Sequence, residues 1–264
     1  MITVSQLWTY PFKSGKGISL PSTQFDSEGM CNDRRLVALD KNGLFITARR
    51  HAQLLQLSCT KNNNGWLLQH PSLSSVCQIN HCESSGMLTG TLWKDTFNAL
   101  DAGNKAASWL SELLKVDVRV AIWKEQSRYS NKYKLETSFS DASPVLIATE
   151  ASVRQACKWG NIEPDVRRFR PNIVLDGVDA FVEDQWNQLR IGDVTFKVLD
   201  ACVRCILTTR DPDTGEAHTN RQPMMALKEN HANDAHQPLF GINVKLSKLV
   251  SNAVISIGDE VSLL

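Results

Sequence analysis

From Ile2 to Ile122 the sequence breaks into short β-prone runs separated by turn residues, and only one stretch sustains a helical period. Ile2–Tyr10 alternates loosely and stops at Pro11. Arg35–Asp40 and Leu44–Thr47 flank Lys41-Asn42-Gly43, where Asn-Gly predicts a tight hairpin. Gln53–Thr60 and Gly65–His70 flank Lys61-Asn62-Asn63-Asn64, a second predicted hairpin, and Met87–Trp93 is a further strand. Short strands at regular spacing confine this half to a barrel or sandwich. The exception is Ala102–Leu114, where Ala106, Leu110, Leu113 and Leu114 share one side of a predicted helix. Val116–Trp123 then reads as a closing strand.

Lys124–Ser138 is polar and without period, so it reads as a linker dividing the chain into residues 1–124 and 125–264. Beyond it, Pro144–Ala148 is strand-like and Glu150–Trp159 helical, with Thr149 as its N-cap and Gly160 at its end. Ile173–Leu175 is a strand. Leu189–Ile191 and Val194–Leu199 form a hairpin across Gly192-Asp193, a turn repeated as Gly258-Asp259 between Ala253–Ser256 and Glu260–Leu264. Pro223–Asn230 is a short helix opened by its proline. The expected class is mostly β with a few helices (α+β), in two domains.

The 264 residues carry 29 basic and 28 acidic side chains, a net charge of +1 that leaves no electrostatic footprint for nucleic acid or an anionic membrane. Seven irregularly spaced cysteines do not read as a disulfide framework, and neither a signal peptide nor an apolar membrane span is visible. The expected location is the cytoplasm.

Chemistry concentrates in Cys202-Val203-Arg204-Cys205. Three readings compete for this pair. Structural zinc requires a second ligand pair, for which Cys77 and Cys82 with His81 are the nearest residues. A dithiol redox pair requires a helix after the cysteine, whereas Ile206-Leu207-Thr208-Thr209 reads as strand running into the turn Asp211-Pro212-Asp213-Thr214-Gly215. Two buried structural thiols are the third. A plant-type iron–sulfur run is absent. Lys13-Ser14-Gly15-Lys16-Gly17 lacks the frame of a phosphate loop and reads as solvated lysines in a turn. Arg167, Arg168 and Arg170 suit bidentate anion recognition or an exposed basic loop. The six histidines make no ligand frame, and no Gly-x-Ser-x-Gly elbow appears.

Taken together the motifs resemble one family, the molybdenum-cofactor sulfurase C-terminal (MOSC) domain proteins, in their YcbX-like and amidoxime-reducing-component branch. In the first half the resemblance rests on Tyr10-Pro11-Phe12-Lys13-Ser14-Gly15-Lys16-Gly17, Asp33-Arg34-Arg35 and Phe45-Ile46-Thr47-Ala48-Arg49. In the second it rests on Phe139-Ser140-Asp141-Ala142-Ser143-Pro144, Phe169-Arg170-Pro171-Asn172-Ile173-Val174 and Glu183-Asp184-Gln185-Trp186. Ile191-Gly192-Asp193, the cysteine stretch through Thr209, Asp211-Pro212-Asp213-Thr214-Gly215 and Pro238-Leu239-Phe240-Gly241 complete it. Ten such patterns in one order cover nearly the whole chain.

The resemblance implies an N-terminal MOSC β-barrel domain followed by a β-barrel-like MOSC domain, with molybdopterin held between them. It implies that Cys205 supplies the thiolate to molybdenum, with Arg204 beside it and Cys202 structural. It carries cofactor contacts onto Lys13, Ser14 and Arg34 from the first domain, and onto Asp141, Ser143, Arg170, Asn172 and Arg204 from the second. Asn243 is carried over where animal relatives have tyrosine. Ala142 and Val203 stand where they have hydroxyl side chains, which limits those contacts to backbone. The implied activity is molybdenum-cofactor-dependent reduction of small N-hydroxylated compounds (amidoximes, hydroxylamines, N-hydroxylated bases). Longer bacterial relatives carry a C-terminal ferredoxin domain; this sequence shows no ferredoxin, flavin or nicotinamide motif, so electrons are expected from a separate reductase or ferredoxin-type protein. The alternative is a non-enzymatic molybdenum-cofactor or sulfur carrier.

Overall fold

A computed structural model describes residues 1–80, 86–126, 128–250 and 252–264. Its largest sheet has eight strands, in the order Ile18–Leu20, Thr3–Thr9, Ile173–Asp176, Val145–Thr149, Leu239–Leu249, Val194–Val203, Gln188–Ile191, Val261–Leu263. A bridge between Thr3 and Glu260, with Val4 N–H donating to Asp259 O and Val261 N–H to Ile2 O (both 2.9 Å), brings the end of this run back to Thr3–Thr9. The sheet therefore curls into a barrel-like wall. Val4, Leu7, Phe25 and Met30 share its core with Ile147, Ile173, Phe196, Ile242 and Val244. Among the pairs in this sheet, Val145–Thr149 and Ile173–Asp176 run parallel, and the helix Glu150–Trp159 provides their crossover.

That helix starts where its cap predicts. Thr149 Oγ1 accepts from Ser152 N–H at 3.1 Å, and Glu150 in the first turn with Lys158 in the last complement the helix dipole.

Residues between Leu36 and Ile122 build the other core. Met87–Leu92, Asp95–Asp101, Val118–Ile122 and Leu36–Asp40 form one antiparallel sheet, and Ser58–Asn62, Gly65–Gln69 and Cys77–Asn80 another. The helix Gly103–Leu114 lays Ala106, Leu110, Leu113 and Leu114 against them, with Phe12 reaching in from the N-terminal segment. No described helix is long and apolar enough to cross a membrane.

Several expected elements differ. Leu44–Thr47 makes only isolated bridges, Leu39 to Phe45 and Leu44 to Thr91. The first part of Gln53–Thr60 is a 3-10 helix, Ala52–Gln56, because Leu54 and Leu55 turn together into the core. Ile206–Thr209 is also a 3-10 helix rather than strand, since the Thr208 and Thr209 hydroxyls donate back to the carbonyls of Cys205 and Ile206. The polar stretch after Lys124 is no free linker. Arg128 within it is fully buried and donates to Asp95 Oδ2 (2.7 Å) and to the carbonyls of Ser138, Ser140 and Asp141. Hydrogen bonding also crosses the line between residues 124 and 125, because strand Thr3–Thr9 lies in the sheet of the second half.

Candidate functional site

After Thr9 the chain leaves the large sheet at Tyr10 and crosses toward the first core, where Lys13 N–H meets Leu36 O at 2.7 Å. Lys13 is not a solvated turn lysine. It is 5% exposed, and its Nζ donates to Phe139 O and Asp141 Oδ1, both at 2.8 Å. Burial pushes its pKa down to about 8, and the Asp141 carboxylate only partly opposes this. Asp141 itself is solvent-accessible. Crowding by protein works against its charge, but Lys13 and the Trp93 N–H hold its carboxyl below the ordinary range.

Two guanidinium groups lie over the buried Tyr10 ring, Arg34 at 4.3 Å and Arg170 at 4.2 Å from its centroid. Arg34 donates to Asp33 Oδ2 at 2.5 Å and to Arg170 O at 3.1 Å; Arg170 donates to Gly15 O at 2.7 Å. Burial pushes the Tyr10 phenol up to about 12 despite both cations, and its hydroxyl finds no partner. Burial, with the like charge of Arg34, brings Arg170 down to about 10. Ser14, Arg34 and Arg170 are among the non-glycine residues that hold positive φ, at 68°, 48° and 57°. Non-glycine residues in this region are strained, and such strain persists where the surroundings fix a side chain for use.

The cysteine pair sits at the end of Val194–Val203. Cys205 is exposed and Cys202 half-buried, and both thiols are free. Cys205 caps the 3-10 helix Ile206–Thr209 with extended backbone. Arg204 does not turn to Cys205. Its Nη1 lies 3.0 Å from the Cys202 sulfur and its Nη2 donates to Phe169 O at 2.7 Å, so Cys202 is more than a packed bystander. Arg204 Nε is buried without a partner. Among the described residues no three His, Cys, Asp or Glu side chains gather as metal ligands. His81 and Cys82, which the zinc reading needs, lie outside the described residues.

The uncharged candidates are already committed. The Asn172 amide donates to Trp8 O and accepts from Leu146 N–H, both at 3.2 Å, which ties it to the strands on either side. Ser143 Oγ donates to Val145 O and Asn243 Oδ1, while Asn243 Nδ2 donates to Asp200 Oδ1 (2.8 Å) and Tyr133 Oη (3.2 Å). Tyr133, Lys132 and Asp200 complete this network; burial and the Asp200 carboxylate push the Tyr133 phenol above its ordinary range.

Arg167 is neutralised by Asp165 and Asp213 and Arg168 contacts Arg210 O and Asp211, yet both line one small pocket with Arg170, Lys16 and Arg210. Arg167 and Arg168 hold the loop after the cysteines, while Arg170 turns to Tyr10. The arrangement thus gathers Lys13, Ser14, Arg34, Asp141 and Arg170 around the crossing segment. Arg204 joins them through Phe169, the neighbour of Arg170.

Two family models divide the sequence almost completely, the MOSC N-terminal beta barrel domain over residues 1–117 and the MOSC domain over residues 134–262. The chain belongs to the MOSC domain family. This MOSC protein is 33% identical to mitochondrial amidoxime reducing component 2 of Macaca fascicularis, over 98% of the chain and 82% of the relative. It is 32% identical to the human component 2 over the same shares, and 32% identical to mouse mitochondrial amidoxime-reducing component 1 over 99% and 82%.

Sequence reasoning missed Tyr10 as the plate under two arginines, and Tyr133 with Asp200. Tyr10 was visible only as part of a motif. Tyr133 lies in the stretch read as linker, and no local pattern ties it to a strand that follows some seventy residues later.

Proposed function

We propose that this MOSC protein is a molybdenum-cofactor-dependent reductase of small N-hydroxylated compounds, drawing electrons from a separate reductase or ferredoxin-type protein. The observation that carries this reading is the donor set: an exposed Cys205 thiol, the adjacent Arg204 with an unpartnered Nε, and Arg34 and Arg170 sharing the Tyr10 ring. Adjacent cations with so few carboxylates fit a dianionic phosphate and a dithiolene. The residues present therefore fit molybdopterin.

Lys13, Ser14, Arg34 and Arg170 would hold its anionic tail, and Cys205 would supply one soft ligand to the metal. When bound, the cofactor supplies the two-electron chemistry that cleaves an N–O bond. Asp141 orients Lys13, Asp33 and Arg170 O orient Arg34, and Phe169 O orients Arg204. Asn172, Ser143 and Asn243 act one step back, as struts for the strands that carry the contacts. The relatives' names, which describe amidoxime reduction, support the substrate class.

The test is molybdenum content and benzamidoxime reduction by the wild type, Cys205→Ala and Cys202→Ala. Cys205→Ala is expected to lose both, and Cys202→Ala to keep its metal. Full metal and activity in Cys205→Ala overturns the assignment. Bound pterin without turnover by any artificial donor identifies a carrier instead.

A further inference from the structure

Strands Met87–Leu92 and Asp95–Asp101 are joined by Trp93 and Lys94 alone. A two-residue hairpin loop favours Asn or Gly wherever φ is positive. Trp93 holds φ at 58°, so a bulky residue occupies a position where glycine costs nothing. Its side chain is not spent on the core, since the residue is 48% exposed.

Three contacts nevertheless fix the indole. Nε1 donates to Asp141 Oδ1 at 3.1 Å, the same carboxylate oxygen that holds Lys13. The Arg49 guanidinium lies 4.4 Å from the ring centroid, and Phe45 meets the ring edge-on at 5.0 Å. Exposed Leu44 extends the apolar rim beside Phe45. A rigid, half-open aromatic surface thus stands one side chain from Lys13.

We propose that Trp93 is a binding platform on which planar, conjugated substrates stack, so that aromatic amidoximes and N-hydroxylated bases are preferred over small aliphatic N-hydroxy compounds. This rests on the reductase reading for the reaction but not for the binding. Stacking of a base-like ring on an aromatic side chain contributes enough for a change of about tenfold in Kd.

The test titrates benzamidoxime and acetamidoxime, by calorimetry, into the purified protein, Trp93→Gly and Trp93→Phe, with Tm measured for each. Trp93→Gly relieves the positive φ, so its Tm is expected to hold or rise while benzamidoxime binding weakens about tenfold. Trp93→Phe is expected to regain most of that affinity without the N–H to Asp141, and acetamidoxime is expected to bind all three alike. A lowered Tm in Trp93→Gly with an unchanged ratio between the two ligands makes Trp93 structural and overturns the platform, as does failure of the wild type to bind benzamidoxime. Trp93-dependent binding without reduction overturns the reductase reading and leaves the platform standing.

Discussion

Within the family pattern, Lys13, Arg34, Arg170 and Arg204 form a cationic set with charge left over. Arg34 and Arg170 repel one another across Tyr10, and Arg204 keeps a buried donor unused. The uncharged set is bonded within the protein, Asn172 to backbone, Ser143 to Asn243, and Asn243 to Asp200 and the Tyr133 hydroxyl. One family pattern carries both sets, yet they do different work. On the proposed reading, the cationic set meets the ligand and the hydrogen-bonded uncharged set keeps the site in shape.

The sharpest way to break this division is at Asn172. Asn172→Ala leaves Leu146 N–H and Trp8 O without their side-chain partner in a buried place, and stability is expected to fall by about 2–4 kcal/mol in urea unfolding. Pyrophosphate affinity of the folded protein is expected to stay unchanged; a selective loss of affinity would move Asn172 to the ligand side. Arg170→Met reverses the pattern. Pyrophosphate affinity is expected to drop about tenfold, near 1.4 kcal/mol, while Tm holds because a like charge beside Arg34 is gone. A fall in Tm with intact affinity would make Arg170 a strut.

The smallest effect is a pH dependence at Lys13. Folded, Lys13 releases its proton near pH 8, against 10.5 for an ordinary lysine. Between these values the folded chain binds fewer protons than the unfolded one, so Lys13 alone makes stability rise with pH. Anion binding runs the other way. Pyrophosphate affinity is expected to decline severalfold from pH 7 to 9, and Lys13→Arg to flatten that profile because arginine stays charged. A flat wild-type profile would remove Lys13 from the anion contacts.

Local signals were legible and distant ones were not. Thr149 announced its helix, Lys61-Asn62-Asn63-Asn64 its hairpin, and the apolar face of Gly103–Leu114 its side of the core. The 3-10 helix after Cys205 was hidden because its threonines are β-prone in isolation and turn only when their hydroxyls find carbonyls behind them. Arg128 read as linker because nothing nearby reveals that Asp95 waits to bury it. The positive φ values at Ser14, Arg34 and Arg170 break the usual residue preference, which is why no propensity argument finds them. Motif order brought these residues forward; which of them are already hydrogen-bonded within the protein is visible only in the fold.

Strand Thr3–Thr9 pairs with Ile173–Asp176 and bridges to Glu260, so its partners are synthesised long after it. During synthesis it must wait with an unpaired edge until those distant partners have emerged, the kind of distant pairing that slows folding and invites association between nascent copies. A gene fragment encoding only residues 125–264 would lack the stave that closes its own wall. Cutting the polypeptide at its most polar stretch would therefore leave that second piece incomplete, and the apparent seam is a poor place to divide it.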